Sequence, residues 1–219
     1  MGFTNKEIIR AIHKSQHCQR NWDLSREIPD HDLDVIINAI TQCPSKQNLA
    51  FYRVHLIMNR DLIEKLHDLT NGFTVSYSPY QTTTNSQALA NLVVVFEQVP
   101  PDAKGKYVTR NEQTLDLAQA ESPTQQDSQF FLTRDQSMAV GVAAGYANLA
   151  ATLLGYATGC CSCFDYDQVK ALLNLENMPA LLMGIGFANE NVGRRVHHLD
   201  HDFVFPTKHK QPIQVNIVK

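Results

Sequence analysis

The chain has 219 residues, 43% hydrophobic and 19% charged, and its 19 Lys and Arg against 22 Asp and Glu leave a formal charge of −3. Such a chain is long enough for one domain or two small ones around a sizeable core, and it lacks the cationic excess that makes nucleic acid a partner. No apolar run approaches the roughly 18–20 residues of a membrane span. Met1–Lys6 leads into an amphipathic stretch with neither a signal segment nor a myristoylation pattern, so a cytoplasmic protein without membrane contact is expected.

Thr4 with Glu7 three residues on forms a capping box, and Ile8, Ile9 and Ile12 recur at helical spacing, which predicts a first helix to about Ser15. Pro29, Asp30 and Asp32 open a second helix with the stripe Leu33, Ile36, Ile37 and Ile40, closed by Pro44. Val54, Leu56 and Met58 alternate as a strand; Leu62, Ile63, Leu66 and Leu69 mark the next helix. Leu92–Phe96 reads as a strand covered on both faces. From Gln98 to Arg134 the chain is polar and without periodicity, which predicts an excursion or lid at about 98–134. Met138–Leu154 is rich in Ala and Gly, the mark of a helix packed closely on all sides at the centre of a domain or of a dimer. Asp165 caps a helix carrying Val169, Leu172 and Leu173, Leu181–Phe187 is a buried strand, and Ile213, Val215 and Ile217 alternate in a last one. Helices outnumber strands and no regular βαβ units form, so the fold class is α+β, a mixed sheet sandwiched by helices.

Five cysteines are an odd number in a chain too long to need stapling, which predicts reduced thiols. Cys160, Cys161 and Cys163 cluster, but Cys-Cys-x-Cys is not the C-x₂-C of zinc hairpins, so a tight buried turn of small residues is preferred to a metal site. No Rossmann, Walker, H-E-x-x-H or G-x-S-x-G motif is present. Gly184-Ile185-Gly186 lies within an apolar run and reads as core strand. The His197-His198 pair and His201 fall in a charged segment, Arg194–Asp202, that reads as solvated. Cations group at Gln16–Arg20 and Thr207–Pro212, where Lys208 and Lys210 point the same way in extended chain.

Six ordered segments give the sequence a resemblance to the FMN-dependent nitroreductase family. They are His17–Trp22 after the first helix, Cys43-Pro44-Ser45-Lys46-Gln47-Asn48 after the second, and Asn85–Ala90 before an apolar strand. The small-residue helix running through Leu154-Gly155 to Ser162-Cys163-Phe164-Asp165 is the fourth, followed by Gly184-Ile185-Gly186-Phe187 and the Lys208-to-Pro212 basic pair. The sequence departs from the family pattern at Gln16 (usually basic), Cys18 (a hydroxyl), Ala50 (Gln) and Cys163 (Gly); the last implies strain if the turn needs φ > 0.

The resemblance implies one nitroreductase-like domain over 1–219 that dimerises through the small-residue helix and binds FMN at the interface. Gln16, His17, Cys18 and Arg20 would meet the phosphate and ring edge, with Lys208 and Lys210 completing a phosphate clamp. Ser45 and Asn48 would come from the partner, Asn85 would meet the pyrimidine edge, and Cys161, Ser162 and Cys163 would lie beside N5. The implied activity is NAD(P)H-driven reduction of a nitroaromatic, quinone or related small acceptor on the flavin, with no protein acid or base assigned. Tyr107, Phe130 and Phe131 are candidates to stack over the ring. A flavin-binding or partner-binding protein of the same fold with little turnover is the alternative.

Overall fold

The computed structural model describes residues 2–74, 82–99, 107–108, 114–115, 125–206 and 209–218. Helix α1, Asn5–Ser15, starts at Thr4, whose hydroxyl accepts from Glu7 N while the Glu7 carboxylate takes Thr4 N, the reciprocal capping box. Helix α2, Asp30–Thr41, buries Ile36 and Ile40. Helix α3, Arg60–Asp68, is capped by Asn59 and buries Ile63 and Leu66, and α5, Tyr166–Leu173, is capped by Asp165 and ends at Asn174 in the left-handed conformation.

The central sheet has four strands: β1 Tyr52–Ile57, β2 Leu92–Gln98, β3 Ala157–Cys161 and β4 Pro179–Gly186. Their spatial order is β1-β2-β4-β3, antiparallel throughout; a parallel bridge joins Cys18 to Thr158 outside it. Because side chains alternate along a strand, β2 feeds two cores. Leu92, Val94 and Phe96 pack with α2 and helix α4, Gln125–Leu153, through Ile36, Ile40, Ala143 and Ala147. Val93 and Val95 pack with α3 and α5 through Ile63, Leu66 and Val169. This is the expected sandwich, and β2 is covered on both faces from Leu92 to Glu97.

Three expectations need correction. Most of 98–134 lies outside the described residues, but α4 begins at Gln125, so the end of the polar stretch is helix. Within one chain α4 is packed on one side only: Ala139, Ala143, Ala147 and Ala151 are buried, whereas Met138 and Tyr146 are exposed and open space lies beside Gly141 and Gly145. The alternating tail forms no strand. Ile213, Val215 and Ile217 are 79%, 78% and 79% exposed, since alternation specifies a strand only where a sheet edge is there to pair with it.

Gly184 lies in the core strand, as expected, and its missing side chain lets the short turn Ser86–Leu89 rest on the sheet. A Cβ there would stand 2.1 Å from Gln87 O, and one at Gly159 would stand 2.7 Å from Gln19 O. Two glycines thus bring the segments before Trp22 and after Asn85 down onto neighbouring strands, and Trp22 Nε1 ties them together through Ser86 O at 3.0 Å.

Candidate functional site

Helix α1 ends at Ser15, and Gln16–Arg20 then runs along β3, held by Gln19 N to Thr158 O at 2.8 Å. The end of the chain returns to the same place: Lys210 Nζ donates to Gln16 Oε1 at 3.4 Å, across 194 residues. Four residues on from Gln16, Arg20 lays its guanidinium over Phe205, 4.7 Å from the ring centroid. Neither Arg20 nor Lys210 forms an ion pair with a carboxylate among the described residues. Arg20 Nε and, on the neighbouring turn, Gln87 Oε1 are buried without a hydrogen-bond partner. Such groups are costly unless something satisfies them, so this cradle has the chemistry to take an anion with polar edges.

The remaining expected residues fall into three places. Cys161 and Cys163 flank the turn after β3 with Ser162; the cluster is not the buried turn expected, since Cys161 is buried but Cys160, on β3, and Cys163 are exposed. Gln87 Nε2 donates to Cys160 O, so this turn adjoins the cradle. Cys163 has no positive φ, so the Cys in place of Gly introduces no strain. Burial pushes the Cys161 thiol up to about 11 and raises Cys18 against the opposing charges of Arg20 and Arg194, which keeps both thiols protonated. Asn85 is buried and gives its amide N–H to Asn71 O at 2.9 Å. Ser45 and Asn48 lie elsewhere: Ser45 Oγ accepts from Ala50 N, and Asn48, Ala50 and Phe51 have φ of 61°, 58° and 69°. Three residues within four positions held at positive φ mark a strained loop of the kind found at ligand clamps. Lys208 and the side chains of Tyr107, Phe130 and Phe131 lie outside the described residues. No group of three or more His, Cys, Asp or Glu is arranged around a metal among the described residues.

Within Arg194–Asp202, His201 is exposed as expected, but the His197-His198 pair is not in the solvated stretch its charges imply. His197 is 2% and Asp200 7% exposed, packed with Phe203 and Phe205. His197 Nδ1 accepts from Asp200 N at 3.0 Å and closes the turn. His198 lies tilted against His197, with centroids 4.5 Å apart, and meets His67 of α3 edge-on, with centroids 5.3 Å apart. Arg194 Nη1 donates to Cys18 O at 3.2 Å, and Arg194 O accepts from Arg20 N at 3.1 Å. Sequence reading missed this segment because its charged letters dominate; the signal was the Phe203-Val204-Phe205 run beside them.

Comparison with known proteins decides the class. The family model for the nitroreductase family matches residues 14–188, well over half of the chain. The chain belongs to the nitroreductase family. That membership supports flavin-dependent oxidoreduction as the class of activity. A search of curated proteins finds no match. Among solved structures, a nitroreductase family protein from Clostridium novyi NT is 15% identical, with a TM-score of 0.59 over 84% of this chain and 86% of that one. Nitroreductase A from Vibrio parahaemolyticus is 15% identical, with a TM-score of 0.60 over 95% and 78%. An NADPH:FMN oxidoreductase from Vibrio harveyi, solved with NAD+, is 16% identical, with a TM-score of 0.59 over 94% and 80%. At these identities the likeness establishes the fold. No helix among the described residues is long and apolar enough to cross a membrane.

Proposed function

We propose that the chain is an FMN-dependent oxidoreductase that uses NAD(P)H to reduce a nitroaromatic, quinone or related small acceptor, as one cytoplasmic domain working in a homodimer. The observation that carries this is the meeting of Lys210 with Gln16 beside Arg20, two cations without a carboxylate in a cradle with orphaned Arg20 Nε and Gln87 Oε1. FMN fits that chemistry, with a phosphate for the cations and a polar ring edge for the amide. When bound, FMN supplies hydride acceptance from the nicotinamide and electron donation to the acceptor.

The chain's own residues would then bind and orient. Arg20 and Lys210, with Lys208, hold the phosphate, and Gln16–Cys18 line the approach to it. Gln87 sits between the cradle and the Cys161-Ser162-Cys163 turn, placed to accept from a ring-edge N–H in addition to the role expected of Asn85. The dimer reading is supported by the open face of α4 at Met138, Val142 and Tyr146 and by the exposed apolar tail, surface that a second copy would cover. Ser45 and Asn48 make no hydrogen bond to Gln16–Arg20 among the described residues, and a partner would bring its own copies there.

The test is the visible spectrum of the purified protein with and without anaerobic NADH or NADPH. A flavin band that either nucleotide bleaches is expected. Colourless protein that gives no saturable change in FMN fluorescence overturns the reading; flavin that stays oxidised with both nucleotides favours the low-turnover alternative.

A further inference from the structure

The family pattern has a basic residue where this chain has Gln16, so the cradle is short of one positive charge at that position. Arg194 reaches the same segment two residues further on, at Cys18. Its Nη1 is 3.2 Å from Cys18 O, and its own carbonyl takes Arg20 N, so the two arginines are held to one another through the backbone. One guanidinium bond to a carbonyl leaves the other donors of the fork available. Arg194, like Arg20 and Lys210, forms no ion pair with a carboxylate among the described residues. The charges of both Arg20 and Arg194 act on the Cys18 thiol, which locates the two guanidinium groups on the same few residues. Three cations around one short segment without a carboxylate partner make an anion site of greater charge than Arg20 and Lys210 alone.

We propose that Arg194 is the third arm of the phosphate cradle, supplying to the FMN phosphomonoester the charge that Gln16 no longer carries. The proposal rests on the flavin reading above. It goes beyond the family, because Arg194 lies outside the matched residues 14–188 and outside all six resembling segments. The local structure explains how a residue from that stretch reaches the site. Phe203 and Phe205 pack the segment into a small core of its own, Phe205 N returns to Arg195 O, and Phe205 underlies the Arg20 guanidinium.

The decisive measurement compares FMN with riboflavin, which has the ring and the ribityl chain but no phosphate, by fluorescence titration of the wild type and of Arg194→Gln and Arg194→Met. Loss of one charged hydrogen bond predicts that both variants bind FMN about ten- to a hundredfold more weakly. Riboflavin affinity and the melting temperature should stay as in the wild type. FMN and riboflavin weakening in parallel would make Arg194 a strut for the Cys18 segment and overturn the proposal, as would unchanged FMN affinity. Arg194→Met keeps the apolar stem and decides the matter if Arg194→Gln does not fold. A wild type that binds neither ligand removes the flavin reading itself, whereas a wild type that binds FMN as tightly as both variants removes the Arg194 assignment alone.

Discussion

Glu97 and Arg20 are both charged and both enclosed, and the molecule treats them in opposite ways. Glu97, at the end of β2, is 0% exposed, and each carboxylate oxygen has a partner. His55 Nε2 lies at 2.7 Å from one, and Asn177 N at 2.7 Å and Asn177 Nδ2 at 3.1 Å from the other. Burial alone would raise its pKa, but those hydrogen bonds and the charge of Arg53 outweigh burial and hold it below the ordinary value. Around Arg20 the same chain leaves Nε, Gln87 Oε1 and the charge of Lys210 unmatched. A buried charge persists where partners compensate it. The sheet interior closes that account internally, and the cradle leaves it open for a ligand. Core and cradle variants should therefore act on different observables.

The largest effect belongs to the core. Phe96→Ala empties a fully buried position between β1, β4 and α4 and should cost about 3–5 kcal/mol of folding free energy. Chemical denaturation reads the loss, and the variant that remains folded should bind FMN as the wild type does. A matching loss of FMN affinity would mean that the two regions are not separable.

The join between the regions is acid-sensitive. Burial, then the charges of His197 and Arg60, push His67 down to about 4; burial, then His197 and His67, do the same to His198. His197 is lowered by burial too, with Asp200 opposing and His201 adding to it. Asp68, 3.6 Å from His67 Nδ1, is exposed and offers little compensation. In the unfolded chain these histidines take a proton near pH 6.5, whereas in the fold His67 and His198 do so only near 4 and His197 only below its ordinary value, so the unfolded state binds more protons in that window. Stability is full above about pH 6.5 and is lost as pH falls toward 4, by at most about 3 kcal/mol for the deeper His67. Melting temperatures measured from pH 7 to 4 should fall across that window, and His198→Gln should flatten the fall. A drop confined to below pH 4.5 would assign acid sensitivity to Glu97 instead.

What the sequence disclosed follows from where the physical cause is local. The capping box of Thr4 and Glu7, the Asp165 cap and the alternation through Leu92–Phe96 depend on neighbours within a few residues, and all are present. Gln16–Cys18, Arg20 and Lys210 stood out in the sequence by their place in ordered segments that resemble a family pattern, despite the departures at Gln16 and Cys18, and the fold brings Lys210 onto Gln16. Arg194 and His198 did not, because their surroundings come from Cys18 and His67, far along the chain. The tail at Ile213–Ile217 was misread for the converse reason: its alternation is real, but a strand also needs an edge, and the pattern cannot say which chain provides it.

The smallest effect asks what holds the cradle in place. Helix α1 leads directly into Gln16–Arg20, so fraying at its start could in principle displace the site. Thr4→Ala removes the hydroxyl half of the capping box, leaving the backbone N–H of residue 4 to the Glu7 carboxylate, and should cost about 1 kcal/mol of stability. Yet the cradle has its own tethers at Gln19 N to Thr158 O, Arg20 N to Arg194 O and Asn148 Nδ2 to Ser15 O. The last of these pins the end of α1 to α4, at the far end of the helix from the lost cap. Thr4→Ala should therefore lower the denaturation midpoint slightly and leave the FMN dissociation constant within about twofold of the wild type, a difference of roughly 0.4 kcal/mol. A larger loss of affinity would place the support of the cradle in α1 itself, and the tethers to β3, α4 and Arg194 would then be consequences of its position.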